Sequence, residues 1–171
     1  KFVKPPAGFG HLYVSKEGWV ADCANSIDGG GLIATSPDGI RYEMTVRYSE
    51  NGNDIFQVKK ITDRHGNWLS FDYQITYGVV YVLKCTASDG RIVNFTYAPG
   101  ITTGTRLSKI TANGHTWQYD YVSNGAALQS TSPDVGSFEL AKVTRPDGKT
   151  WAYEYPPFSS YYSPLVSLKG Y

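Results

Sequence analysis

The residues able to do chemistry in this chain are few, and their spacing decides what they are for. Carboxylates recur at Asp72, Asp120 and Glu154. A converging pair of carboxylates would serve acid–base work on a glycosidic bond. These three instead occupy one place in a recurring segment, six residues beyond a glycine, which is the mark of a solvated strand face. His65 and His115 flank two of those glycines and read as turn residues, and His11 stands apart from both. Cys23 and Cys85 are too few for a zinc site. They are able to close a long loop as a disulfide, but Cys85 stands where sister segments carry Ile or Val and reads as a small apolar residue. No Gly-x-Ser-x-Gly, phosphate loop or His-Glu-x-x-His is present. The sequence therefore nominates no catalytic, cofactor-binding or metal residue. Aromatic rings remain, because they stack on sugars. Trp117 and Trp151 fall on an alternating apolar row and read as packing residues. Trp68 falls off that row and is the candidate glycan contact, with Tyr161 and Tyr162 in a Pro/Ser-rich stretch as further candidates.

The elements that would position these residues come from an internal repeat. Five segments align on Gly39, Gly66, Gly90, Gly114 and Gly148, at intervals of 27, 24, 24 and 34 residues. A turn former precedes each glycine, as in Ser36-Pro37-Asp38-Gly39, Ser88-Asp89-Gly90 and Pro146-Asp147-Gly148. Such sequences predict tight hairpin turns with the glycine in the left-handed corner. The Asn113-Gly114 segment has one residue fewer, which a two-residue type I′ turn absorbs without changing the strand faces.

Beyond the glycines the chain alternates. Positions +3, +5 and +7 read Leu69, Phe71, Tyr73; Val93, Phe95, Tyr97; Trp117, Tyr119, Tyr121; and Trp151, Tyr153, Tyr155. The residues between them are mostly polar, so period two puts the rings on one face. The first segment is a divergent copy, with Tyr42 and Met44 in the row. The arm before each turn reads Val58-Lys59-Lys60-Ile61-Thr62, Val82-Leu83-Lys84-Cys85-Thr86, Leu107-Ser108-Lys109-Ile110-Thr111 and Leu140-Ala141-Lys142-Val143-Thr144. The prediction is an all-β chain of consecutive antiparallel hairpins in a twisted, curved sheet, with residues 1–31 as a β lead-in, 32–155 as the repeats and 156–171 as the start of a further, truncated repeat. Val122 to Glu139 accounts for the long interval and reads as a loop or added hairpin.

Composition agrees. Fourteen Tyr and 18 Gly against a single Met suit strands and turns. Lys and Arg total 16 and Asp and Glu 15, a balance that argues against a dedicated nucleic-acid or anionic-membrane binder. No apolar run approaches the ~20 residues of a membrane helix. Lys1 to Gly10 lacks a signal-peptide pattern, and the chain reads as a piece of something longer. Two open sheet edges would favour edge-to-edge self-association of such a piece.

The combination Leu-x-x-Ile/Val-Thr, Asp/Asn-Gly, aromatic-x-Tyr resembles the Rhs/YD-repeat family. It covers about Gly30 to Tyr155, most clearly Ile61 through Tyr73 and Val143 through Tyr155. The Asp of the family's Tyr-Asp pair is missing: Gln74, Ala98, Val122 and Pro156 follow the corresponding tyrosines. The resemblance implies a β-strip spiralling into a hollow shell that encloses a C-terminal toxin polypeptide, in a parent protein that is secreted or carried at the bacterial cell surface. It implies no enzymatic role for this stretch; the family's self-cleaving Asp-Pro motif is not in this sequence. The partners implied are the rest of the shell and the enclosed segment. The alternative is an adhesion module that binds carbohydrate.

Overall fold

The computed structural model describes residues 1–5, 7–8, 10–24, 30–50, 52–76, 78–98, 105–127, 136–155 and 167–170. Among them there is no helix; every regular element is a strand. The chain divides into two compact units, Lys1–Ile92 and Val93–Tyr171.

The first unit contains β1 (Phe2–Val3), β2 (Tyr13–Ser15), β3 (Val20–Cys23), β4 (Leu32–Thr35), β5 (Arg41–Glu50), β6 (Asn53–Thr62), β7 (Trp68–Thr76) and β8 (Val79–Ala87). Each pairs antiparallel with the next in the chain. The second contains β9, which runs Ile92–Tyr97 and so begins at the division, β10 (Leu107–Ala112), β11 (His115–Ala127), β12 (Gly136–Thr144), β13 (Thr150–Glu154) and β14 (Ser167–Gly170). It follows the same up-and-down rule. The long interval is thus spanned by extending the β11–β12 hairpin, in which Ala127 pairs with Gly136.

The turns form as the sequence dictates. At Gly39, Gly66, Gly90 and Gly148 the glycine N–H donates to the carbonyl three residues back, at 3.0–3.1 Å, and that earlier residue's N–H donates to the carbonyl just past the glycine. This is a tight turn followed by a one-residue bulge, with the glycine at φ of 80–87°. Asn113 and Gly114 have φ of 49° and 79°, the two positive values a type I′ turn demands. Ala112 pairs directly with His115 across it. The N-terminal stretch contains the same turn, unmarked by the usual formers. Gly18 donates to Ser15 at 3.2 Å and Ser15 to Trp19 at 2.9 Å, joining β2 to β3. Its signal was Ser15-x-x-Gly18, the spacing of Ser36-x-x-Gly39. In both turns the serine hydroxyl accepts from backbone N–H groups that the turn leaves unpaired.

Candidate functional site

The feature repeated often enough to carry function is the ring row, and a second device places its partners. In the arm before each turn the apolar residues stand three apart, as in Leu140 and Val143. Strict alternation would send them to opposite faces. A β-bulge prevents that. Tyr121 pairs with Leu140 while Asp120 pairs with Lys142, leaving Ala141 as the extra residue. The same shift sets aside Lys59, between Met44↔Val58 and Glu43↔Lys60. It sets aside Leu83, between Tyr73↔Val82 and Asp72↔Lys84, and Ser108, between Leu107↔Tyr97 and Lys109↔Thr96. Four arms carry the bulge at one place, so both apolar residues of each arm meet the row. The odd Leu-x-x-Ile spacing was the sequence signal for it, and reading the arms as plain strands missed it.

The row then assembles by direct cross-strand pairs: Ile61 with Leu69 and Phe71 with Cys85 in the first unit, Ile110 with Phe95 and Trp117 in the second. Val143 lies between Tyr119 and Trp151 and is 4% exposed, the most buried apolar residue among those described. Phe71, Tyr73, Val93, Phe95, Tyr97, Trp117, Tyr119, Tyr121, Tyr153 and Tyr155 are half-buried. Leu69 and Trp151 depart from the expected packing at 40% exposure each. Across one ladder each faces a small residue, Ala87 opposite Leu69 and Gly170 opposite Trp151. Arg145 lies over the Trp151 ring at 5.6 Å.

At +7 the tyrosine does more than pack. The Tyr73 hydroxyl donates to the Val58 carbonyl at 2.6 Å, and the Tyr121 hydroxyl to the Leu107 carbonyl at 2.9 Å. Val58 and Leu107 are the residues just before the bulge. Burial pushes both hydroxyls above the usual tyrosine range. The tyrosine thus latches its strand to the bulged arm of its own hairpin, a role independent of a following Asp.

The carboxylates are dispersed over the polar face. Asp72 meets Lys59 at 2.7 Å, and that hydrogen bond holds its carboxyl below the ordinary value. Asp120 is lowered first by Gln118 and then by Lys142. Glu154 pairs across the sheet with Ser167. Asp72 and Asp120 are each held by a lysine on the polar face. His11 meets Asp22 at 2.7 Å, His65 lies in the Gly66 turn, and the His115 ring lies 6.4 Å from that of Trp117. Among the described residues no group of three or more His, Cys, Asp or Glu is placed to hold a metal ion. Cys23 and Cys85 are free thiols, and burial raises the pKa of Cys85.

Trp68 lies off the ring row, beside Thr62, as its position implied. It is nevertheless half-buried, with the Lys60 ammonium 5.2 Å above its ring, so its indole is not an open platform. Tyr161 and Tyr162 lie outside the described residues. No family model matches the chain, and no curated protein matches it.

Proposed function

We propose that this chain is a non-catalytic stretch of wall in an Rhs/YD-type shell, enclosing a toxin polypeptide carried further along the same protein. One observation carries the reading. Within each unit every strand pairs only with its sequence neighbours, and the ring row on one face is left half-buried. Among the described residues no large side chain is fully buried, and of the apolar ones only Ala21, Ala24, Ala34 and Val143 are buried enough to count as core. A hairpin with one apolar face needs neighbours and a cover, because burial of that surface is the main stabilising term available to it. An array built by repetition supplies neighbours by extension, and an enclosed polypeptide supplies the cover. The partners of this reading are the remaining shell, the enclosed segment and, for the isolated piece, another copy at a free sheet edge. The parent would be secreted or displayed at the bacterial surface. The alternative reading, glycan adhesion through Trp68, is weakened by the lysine over its indole.

The test is protease protection in the uncut parent protein. The downstream segment is expected to resist digestion while the array is intact, and to become sensitive once the row is broken by Tyr119→Ala. A downstream segment cut as fast as the same segment alone overturns the reading.

A further inference from the structure

One of the repeated turns differs chemically from its sisters. Gly39, Gly90 and Gly148 follow an aspartate and Gly66 a histidine, whereas Gly114 follows an amide, Asn113. In the sister turns the glycine N–H is engaged, donating to the carbonyl three residues back at 3.0–3.1 Å. The Asn113-Gly114 turn is shorter, and Ala112 pairs with His115 across it. Its Gly114 N–H donates to no carbonyl among the described residues. A Cβ on Gly114 would meet nothing within 4 Å, so the nitrogen is uncrowded as well as unbonded. Asn113 is exposed, and its φ of 49° is the only positive value at a non-glycine residue among those described. An exposed carboxamide thus stands next to an open backbone nitrogen at the tip of a hairpin.

We propose that Asn113 is a self-modification site, where the chain deamidates through a cyclic imide to aspartate and isoaspartate and so loosens the β10–β11 hairpin as the protein ages. The Gly114 nitrogen loses its proton to solvent hydroxide and attacks Asn113 Cγ. A bond forms between that nitrogen and Cγ, the bond from Cγ to Nδ2 breaks, and ammonia leaves with a proton taken from water. Water then opens the imide. Cleavage between the nitrogen and Cγ leaves an ordinary aspartate. Cleavage between the nitrogen and the main-chain carbonyl carbon routes the backbone through Cβ and Cγ, as isoaspartate. Water is consumed, ammonia is released, and nothing is oxidised or reduced. Glycine is the neighbour that permits the attack, because no Cβ shields its nitrogen. The sister turns resist it, because a carboxylate is a poorer electrophile than a carboxamide and their glycine nitrogens are hydrogen-bonded. Isoaspartate adds a carbon to the backbone, which a two-residue type I′ turn cannot accommodate. The Ala112↔His115 pair is lost first, with Ile110↔Trp117 of the ring row further along the same ladder. The inference stands apart from the wall reading, since it needs only this turn.

The experiment ages the full chain at neutral and at alkaline pH and follows its peptides by mass spectrometry, with an isoaspartyl methyltransferase assay for the branched product. The Asn113 peptide is expected to turn from amide to acid at least about tenfold faster than those of Asn67 and Asn94, which precede Trp68 and Phe95 rather than glycine. The rate should rise with pH, and both products should form. Asn113→Gly keeps a residue suited to positive φ, so it should hold the turn and abolish the reaction. Ageing should speed amide hydrogen exchange at Ala112 and His115 in the parent and leave it unchanged in Asn113→Gly. The proposal is overturned if the Asn113 peptide keeps its amide or converts no faster than those of Asn67 and Asn94, if aspartate forms without isoaspartate, or if isoaspartate leaves that exchange unaltered.

Discussion

The hairpins of the two units share a backbone scheme and differ in the charges laid over it. In the first, the bulge residue Lys59 reaches forward to the Phe71 carbonyl at 2.9 Å and to Asp72, beside the Tyr73 latch. In the second, the bulge residue Ser108 turns back to the Thr96 carbonyl at 3.0 Å, and the Tyr121 latch is covered by Arg106, 5.7 Å from its ring. Arg106 also lies 3.4 Å from the Phe138 ring centre. Both share the bulge, which decides the face the apolar residues take, and the tyrosine hydroxyl, which bonds the carbonyl beside it. The ionic dressing varies, because exposed charges contribute little to stability and many arrangements serve.

The sharpest way to break that comparison is to insert a residue beside a bulge. One extra Ala after Ala141 should throw Leu140 out of phase with Val143, send it to the wrong face and destabilise the second unit by more than about 4 kcal/mol. Hydrogen exchange would then show lost protection through β11–β13; unchanged protection would mean that the bulge is incidental. Next in size is Tyr119→Ala, which should cost about 3 kcal/mol in denaturant unfolding, as a large-to-small change beside buried Val143. A cost below about 0.5 kcal/mol would remove the ring row from the account of stability.

Tyr73→Phe and Tyr121→Phe should each cost about 1 kcal/mol by removing one hydrogen bond and no packing. Equal costs would make the latch common to both units; a cost in one alone would make it local. The same hydroxyls set the alkaline limit. Their folded-state pKa values are raised, so the contribution is fully present below the ordinary value of about 10 and is lost as pH rises through the folded value. Thermal unfolding at increasing pH should show that loss, and the double Tyr→Phe variant should show less of it.

Smallest is Lys59→Met, which leaves the bulge in place. It should change stability by less than about 0.5 kcal/mol, because Lys59 and Asp72 are 44% and 54% exposed in their side chains. Added salt should erase even that difference. Salt-dependent unfolding of the parent that Lys59→Met leaves unaltered would assign the charge effect elsewhere.

The strand order and the turns were legible because they are local. Pro, Asp, Asn and Gly fix φ within four residues, and period two assigns faces one strand at a time. So the Asn113-Gly114 type I′ turn and the rows from Phe71 to Tyr155 followed from the sequence alone. The Gly18 turn escaped because its Lys16 and Glu17 are poor turn markers, though Ser15 and Gly18 keep the spacing. What only the tertiary structure decided depends on a neighbouring strand. The bulges are a mismatch between two arms, visible in one arm only as an odd spacing. The tyrosine latch reaches about fifteen residues back. Trp68 and Leu69 depart from their expected exposure: a lysine from β6 covers the one ring, and only Ala87 faces the other side chain from β8. The Trp19–Tyr42 ring contact joins the Gly18 turn to β5, two places brought together only when the strands pair.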